Sequence, residues 1–558
     1  MEKKCQNPSR KIQNDTEDGG SATDLRIRKR KVQVIVCLLL VELCERFTFF
    51  GILCNMVLFC TVKLGYKYHQ AAMVNLAFAG TTILTPVLVG WFAETCMGRT
   101  KVVYICSALH FLGTAMLPVV AFPFEDFYID TNQIIHTLGK TEQSLLFYLG
   151  LLAASLGAGG IRAILCPLSA YDLQDYESSE LMSFFNWFYW LANLNTAVVC
   201  VGIAYIQQSV AKNLGFLIPF TSVFLAMVTI HMVCSNLIYK PKKSGSLSTT
   251  FGVLLNATKM CCIRYRHLSG HVTCWLDRAK EHNGGKHRET HVEAIKSLVQ
   301  LFPFFAFQIL YRTCITQVPS AYVIQTMNSN LHLHGFLLPI ALVNVIGITA
   351  LLILAPVLEC VLTCLSFTKK DRVAPTTFII GGYICAALSV MVAGFTEMYR
   401  KKFPLVEQTL SGKVLLVSSM SCFQLTPQYI LLGLAEALVT PACSVITLRL
   451  APSSIRGLAM HFLILFYGVG CFFGVILIEA VYLLSGGMSF PSSLKDGKLE
   501  QFFFILASLM VLNTLGFWKV SYRYSNLNQD NDFGLKDSIL TEKLLEHEKS
   551  LKFYESIL

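Results

Sequence analysis

Charge is scarce in this sequence. Only 15% of its 558 residues are Asp, Glu, Lys or Arg, against about 25% in ordinary soluble domains. That shortage excludes a soluble globular protein and a disordered one. The 20 cysteines show no zinc-ligand spacing. Most of them, such as Cys37, Cys44, Cys106, Cys200 and Cys471, lie inside apolar runs, where a thiol acts as a small hydrophobe. A secreted disulfide scaffold and a metal site are both excluded. No nucleophile–base pair or phosphate-cradling glycine loop is present, so the chain is not expected to be an enzyme or to hold a cofactor. The first 30 residues lack the apolar core and small-residue cleavage site of a signal peptide, so the first span is expected to be retained. The basic clusters come with no nucleic-acid reader motif, and no nucleic-acid partner is expected.

What the chain has in abundance is apolar surface. Hydrophobic residues make up 54% of it, enough for about a dozen spans of roughly 20 residues each. Twelve apolar segments fall near 33–59, 71–95, 101–122, 145–168, 183–208, 215–238, 297–327, 336–364, 375–396, 421–450, 456–484 and 501–522. The pattern predicts an all-α membrane protein with two six-helix bundles. Residues 1–32 read as a basic N-terminal tail, 33–238 as the first bundle and 239–296 as a basic linker. Residues 297–524 read as the second bundle and 525–558 as a C-terminal tail.

The net charge of +11 is concentrated. Residues 1–31 carry nine Lys/Arg against five Asp/Glu, and residues 239–296 carry eleven against four. Basic residues beside spans favour the cytoplasm. The bias predicts both termini inside, together with Arg99, Lys101, the linker, Lys369, Lys370, Arg372 and Arg456. Arg400, Lys401 and Lys402 dissent, since this orientation puts them outside. Asn256-Ala257-Thr258 is a glycosylation sequon, expected to be silent on the cytoplasmic side.

Ionisable residues at bilayer depth cost at least about 2.5–3.5 kcal/mol on insertion scales and are functional candidates by default. Glu42, Glu45 and Arg46 share one face of the first span. Arg46 can neutralise only one carboxylate at a time, so the triplet has a spare acid suited to carry a proton. Arg162 follows the run Gly157-Ala158-Gly159-Gly160. Small residues bring helices close, so this arginine should meet a carboxylate or an anionic ligand on a neighbour. Glu436 and Arg312 lie mid-span in the second half, without charged neighbours in sequence. Separated acids and bases suit a cavity for charged small molecules, which points to a secondary transporter.

Several motifs carry a family resemblance. Gly90-Trp-Phe-Ala-Glu94-Thr-Cys-Met-Gly98-Arg99 resembles the loop between spans two and three of the major facilitator superfamily, with Glu94 where that motif has Asp. The run Glu42-Leu-Cys-Glu45-Arg46-Phe47-Thr-Phe-Phe-Gly51 resembles the first-span signature of proton-coupled oligopeptide transporters. Leu84-Thr85-Pro86, Phe184 to Trp190 with Asn193, Trp275 to Lys280, Gln317, Gln325, Asn344 and Pro427-Gln428-Tyr429 with Glu436 follow in order. The resemblance covers roughly residues 33–524 and is strongest to the peptide/histidine branch of solute carrier family 15.

The resemblance implies a monomeric symporter that imports di- and tripeptides, with histidine as a further candidate, at the plasma or an endolysosomal membrane. In it, Glu42, Glu45 and Arg46 couple protons. Arg162, Asn193, Gln317, Asn344 and Glu436 line the substrate site, with Arg162 at the peptide carboxylate and the first-span acid and Glu436 at the peptide N-terminus, and Glu94, Gly98 and Arg99 form a structural latch. Carriers of other zwitterions or anions, and non-transporting sensors, share the pattern. This sequence departs from the family at Arg162, where lysine is usual, at Phe49-Phe50 in place of paired tyrosines, at Arg312 in place of tryptophan, and over Val445 to Arg449. Arginine does not give up its proton as lysine can.

Overall fold

The structure is a computed structural model. It describes residues 9–121, 139–172, 193–210, 215–234, 246–261, 274–368, 375–452, 455–490, 497–522 and 524. The fifth-span signature before Asn193, the cations at 369–372 and the C-terminal tail lie outside the described residues.

Long apolar runs become helices because a helix satisfies every backbone polar group internally, as a bilayer requires. The first half comprises α1 (Ser9–Val62), α2 (Tyr68–Phe92), α3 (Arg99–Ala121), α4 (Lys140–Asp172), α5 (193–210) and α6 (Leu217–Cys234). The linker holds α7 (Ser246–Cys261) and α8 (Glu289–Gln300). The second half begins with α9 (Phe302–Ile315), which continues through a π turn, Val318–Tyr322, into α10 (Val323–Met327). It goes on with α11 (Leu342–Thr368), α12 (Pro375–Arg400), α13 (Thr426–Leu450), α14 (Arg456–Leu484) and α15 (Leu499–Tyr522). Among the described residues, nine helices are long and apolar enough to cross a membrane, with shorter apolar stretches at Leu217–Met232 and Leu342–Leu354. Together with α5, these fall on the twelve apolar segments.

Three features differ from the expectation. First, α1 begins at Ser9, so helical backbone runs through the basic N-terminal segment into the first span. Second, the expected all-α class holds, with two small hairpins added among the described residues. The hairpins, β1–β2 (His332–Leu333 with Phe336–Leu337) and β3–β4 (Leu405–Leu410 with Lys413–Ser418), cap one end of the second half. Each turns on two residues of positive φ, His334-Gly335 and Ser411-Gly412, the geometry that matches strand twist in two-residue hairpin loops.

Third, the linker is folded. Val253, Ala257, Leu276, Ala279, Val292 and Ile295 form its own small core. Lys280 pairs with Asp277 at 3.1 Å, Glu289 at 3.1 Å and Glu293 at 2.5 Å, and Lys296 reaches Asp277 at 3.2 Å. The sequon lies within α7, where the Asn256 side-chain nitrogen is buried. Burial alone would raise the Asp277 carboxyl, but hydrogen bonds from Lys280 and Lys296 outweigh it and hold it below the ordinary carboxylate range. Hydrogen bonding to Glu293, opposed by burial and helped by Asp277 and Glu289, pushes the Lys280 ammonium above its ordinary range.

The signs give a window. The depressed Asp277 contributes stability above its unfolded pKa of about 3.9, lost as pH falls through its folded value. The raised Lys280 contributes below its unfolded pKa of about 10.4, lost as pH rises through its folded value. Protease protection of the linker is therefore expected to be unchanged between about pH 5.5 and pH 7.5. Loosening in that interval would show that other groups control it.

The halves meet closely along α2 and α14. A Cβ at Gly80 would lie 2.8 Å from the Phe472 ring, and one at Gly468 would lie 2.5 Å from Leu84. Near the hairpins, Tyr68 donates to Asn328 across the halves at 3.4 Å, and His69 stacks on Tyr482 with ring centroids 3.6 Å apart. Gln208 donates to Leu338 O at 3.0 Å and accepts from Ile340 N at 2.9 Å. This end of the molecule is clasped shut.

The dissenting cations also lie near the hairpins. Arg400 donates to both Glu397 oxygens, at 2.6 and 2.9 Å, and to Asn328 O at 3.1 Å. Lys401 pairs with Glu500 at 2.5 Å. Two of the three charges are thus spent inside the protein, so they carry little weight as orientation signals.

Candidate functional site: ion pairs in the two halves

The glycine run of α4 does what its composition predicts. Added Cβ atoms would run into His110 at Gly157, Thr85 at Gly159 and Cys106 at Gly160. Glycine thus lets α4 lie against α2 and α3. That contact seats Arg162 against α1, where its Nε donates to Glu45 Oε2 at 2.5 Å. The Glu45 side chain is 1% exposed, and its Oε1 is buried without a hydrogen-bond partner. The Arg162 guanidinium also sits 5.0 Å from the centre of the Phe49 ring, which stacks on Phe78. Where the resemblance leads one to expect a tyrosine hydroxyl, the cation meets an aromatic face.

One turn away, Arg46 Nε donates to Glu42 Oε1 at 3.1 Å. The expected triplet with a spare acid is therefore a quartet of two pairs. The acid that Arg46 leaves over is taken by Arg162, and the four charges cancel. Spacing along α1 could not show this, because the fourth member comes from another helix.

In the second half, Arg312 of α9 faces Glu436 of α13, with Nη1 and Oε1 3.6 Å apart. The guanidinium stands 5.2 Å from the Tyr467 ring centre on α14. Sequence reasoning named both residues but not their pairing, which no local pattern encodes.

The remaining candidates are more dispersed. Gln317 is fully buried, and both ends of its amide are engaged on its own segment. It donates to Thr313 O at 2.8 Å and accepts from Ser320 at 3.2 Å. In this conformation it braces the π turn rather than facing a substrate. Asn344 lies near the start of α11, with its Oδ1 buried and unpartnered. Asn193 is half-buried at the start of α5, and Asn195 of the same helix donates to Leu43 O at 3.1 Å. Of the latch, Glu94 sits in a π turn, Ala93–Met97, and Gly98 takes the positive φ of 79° that starts α3 at Arg99. The Glu94 and Arg99 side chains lie outside the described residues. An apolar groove of about 460 Å³ between α11 and α13, lined by Leu342, Ile346, Ile353 and Ile430, carries no charged side chain and belongs to neither pair.

Comparison with known proteins agrees with this architecture. Residues 100–487 match the model of the POT family. The human solute carrier family 15 member 5 is 58% identical over 528 residues, covering 95% of this chain and 91% of the relative. The mouse solute carrier family 15 member 3 is 24% identical, covering 90% and 93%. A crystal structure of an auto-inhibited POT family peptide transporter superposes with a TM-score of 0.68 at 18% identity, over 88% of this chain and 97% of that one. With an acid and a base paired within each half of a major facilitator fold, and a family match over most of its length, the chain belongs to the POT family of membrane transporters.

Proposed function

We propose that the chain is a proton-coupled symporter of di- and tripeptides, with histidine as a further candidate cargo, working by alternating access. The observation that carries this reading is the Glu45–Arg162 pair, buried at span depth with one carboxylate oxygen unpartnered. A proton on Glu45 removes the charge that holds Arg162. The guanidinium is then available to a substrate carboxylate. Conversely, a carboxylate on Arg162 makes Glu45 easier to protonate. Proton and substrate thus favour each other's binding by linkage.

The coupling ion is the proton, and no cofactor is needed. Glu42 and Arg46 set the charge beside Glu45, Asn193 and Asn344 offer polar contacts to the peptide, and Glu94, Gly98 and Arg99 latch the cytoplasmic loop. With both termini in the cytoplasm, the hairpins face outside and the folded linker faces inside. The clasped state is then the one with its outer gate closed. Either the plasma or an endolysosomal membrane supplies an inward proton gradient, and a monomer suffices.

The test is uptake of labelled dipeptide, tripeptide and histidine by cells displaying the protein, at about pH 5.5 and about pH 7.5 outside. Uptake is expected to rise in acid and to be abolished by Glu45→Gln at equal surface expression. Uptake indifferent to pH would remove proton coupling from the account.

A second reading, a carrier of anionic rather than zwitterionic solutes, is favoured by one observation. Arg312 stands beside the acid that the family resemblance assigns to the peptide amine.

A further inference from the structure

Helix α9 presents Gln308, Tyr311 and Arg312 on one face, at spacings of three and four. Gly470 of α14 abuts the Arg312 stem, where a Cβ would come within 2.8 Å of the Arg312 Cβ. Around the guanidinium, buried polar atoms have no hydrogen-bond partner among the described residues. They are Arg312 Nε and the Tyr311 hydroxyl. Tyr311 is fully buried. Tyr311 and Tyr467 also lie within electrostatic reach of both Arg312 and Glu436.

Unpartnered buried groups are costly and rare in native proteins, and each needs an account. Both groups can donate, one on the cation itself and one on the residue beside it. Their common complement is an acceptor-rich anion. The acid present fits loosely, since 3.6 Å exceeds the roughly 2.7–2.9 Å of a tight charge-assisted bond. Glu436 also keeps 36% of its side-chain surface exposed. An incoming ammonium would meet Glu436 with Arg312 beside it, which weakens the attraction. An incoming carboxylate that displaces Glu436 would find a guanidinium and a phenolic donor.

We infer that Arg312 and Tyr311 form an anion subsite in the second half, so that the cargo is an amine-blocked dicarboxylate. One of its carboxylates engages Arg312. This rests on the carrier reading above and narrows its cargo. Glu436 is the internal occupant of the subsite, displaced as the second carboxylate arrives.

Thermal stabilisation of the purified full chain at about pH 7.5 tests this with three probes. They are Ala-Ala, N-acetyl-Ala-Ala and N-acetyl-Ala-Asp, which separate loss of the amine from gain of the second carboxylate. N-acetyl-Ala-Asp is expected to bind at least about tenfold more tightly than either other probe, the scale of one added charge-assisted hydrogen bond. Arg312→Gln is expected to erase that ratio. Glu436→Gln, which leaves Arg312 in place, is expected to tighten N-acetyl-Ala-Asp binding. An amine-binding Glu436 would show instead as weakened Ala-Ala binding in that variant. If Ala-Ala binds best, the anion subsite is overturned while peptide symport stands. If the dicarboxylate binds best but its uptake ignores pH, the subsite stands and proton coupling falls. If no probe binds, both fall.

Discussion

Replacing Arg162 by leucine is expected to destabilise the protein by about 3–5 kcal/mol, because Glu45 would be left charged and buried without its partner. The size follows from the geometry. Glu45 is 1% exposed, its 2.5 Å bond is to Arg162, and its other oxygen has no partner. Adding Glu45→Gln to Arg162→Leu is expected to recover most of the loss, since removing both charges also removes the desolvation that the pair has to offset. Thermal unfolding of the single and double variants in detergent measures this. If the double variant is no more stable than Arg162→Leu, the two residues are not coupled, and the exchange of partners proposed for transport has no basis.

The second large effect belongs to Arg400. Arg400→Met is expected to cost about 3–5 kcal/mol for the same reason. It strands Glu397, which is 0% exposed, and releases Asn328 O, which is tied to both Arg400 and the Ser418 amide. The damage should fall at the hairpin end, because Asn328 also accepts from Tyr68 across the halves. The same unfolding measurement applies, with Lys402→Met as the exposed control, expected to stay within about 0.5 kcal/mol of the unaltered protein. Equal effects at the two positions would mean that the Arg400 pair is not structural.

These pairs show which parts of the molecule were legible in sequence. Hydropathy located the spans because a bilayer demands about 20 apolar residues in a row, and that is a local property. The first-span charges were legible because they share one helix face. The Arg162 contact was legible in two steps: the glycine run announced a close approach, and the family resemblance implied the first-span acid as partner. Arg312 with Glu436 was not legible as a pair, because the two lie on separate helices, α9 and α13, far apart in sequence. The hairpins were missed although Ser411-Gly412 is a turn signal. Their strands are short and lie between strongly apolar helices. The linker read as a basic loop because net charge does not reveal that Lys280 and Lys296 converge on Asp277.

Everything proposed for transport turns on whether proton movement and substrate movement are one event. The most direct measurement is proton flux into liposomes that carry the purified full chain and a pH-sensitive dye inside. Substrate is added outside without an imposed pH gradient. Ala-Ala and N-acetyl-Ala-Asp serve as substrates, so that either cargo reading can register. The account predicts substrate-driven acidification of the interior, absent in liposomes bearing Glu45→Gln. Substrate that accumulates with no change in interior pH would contradict it.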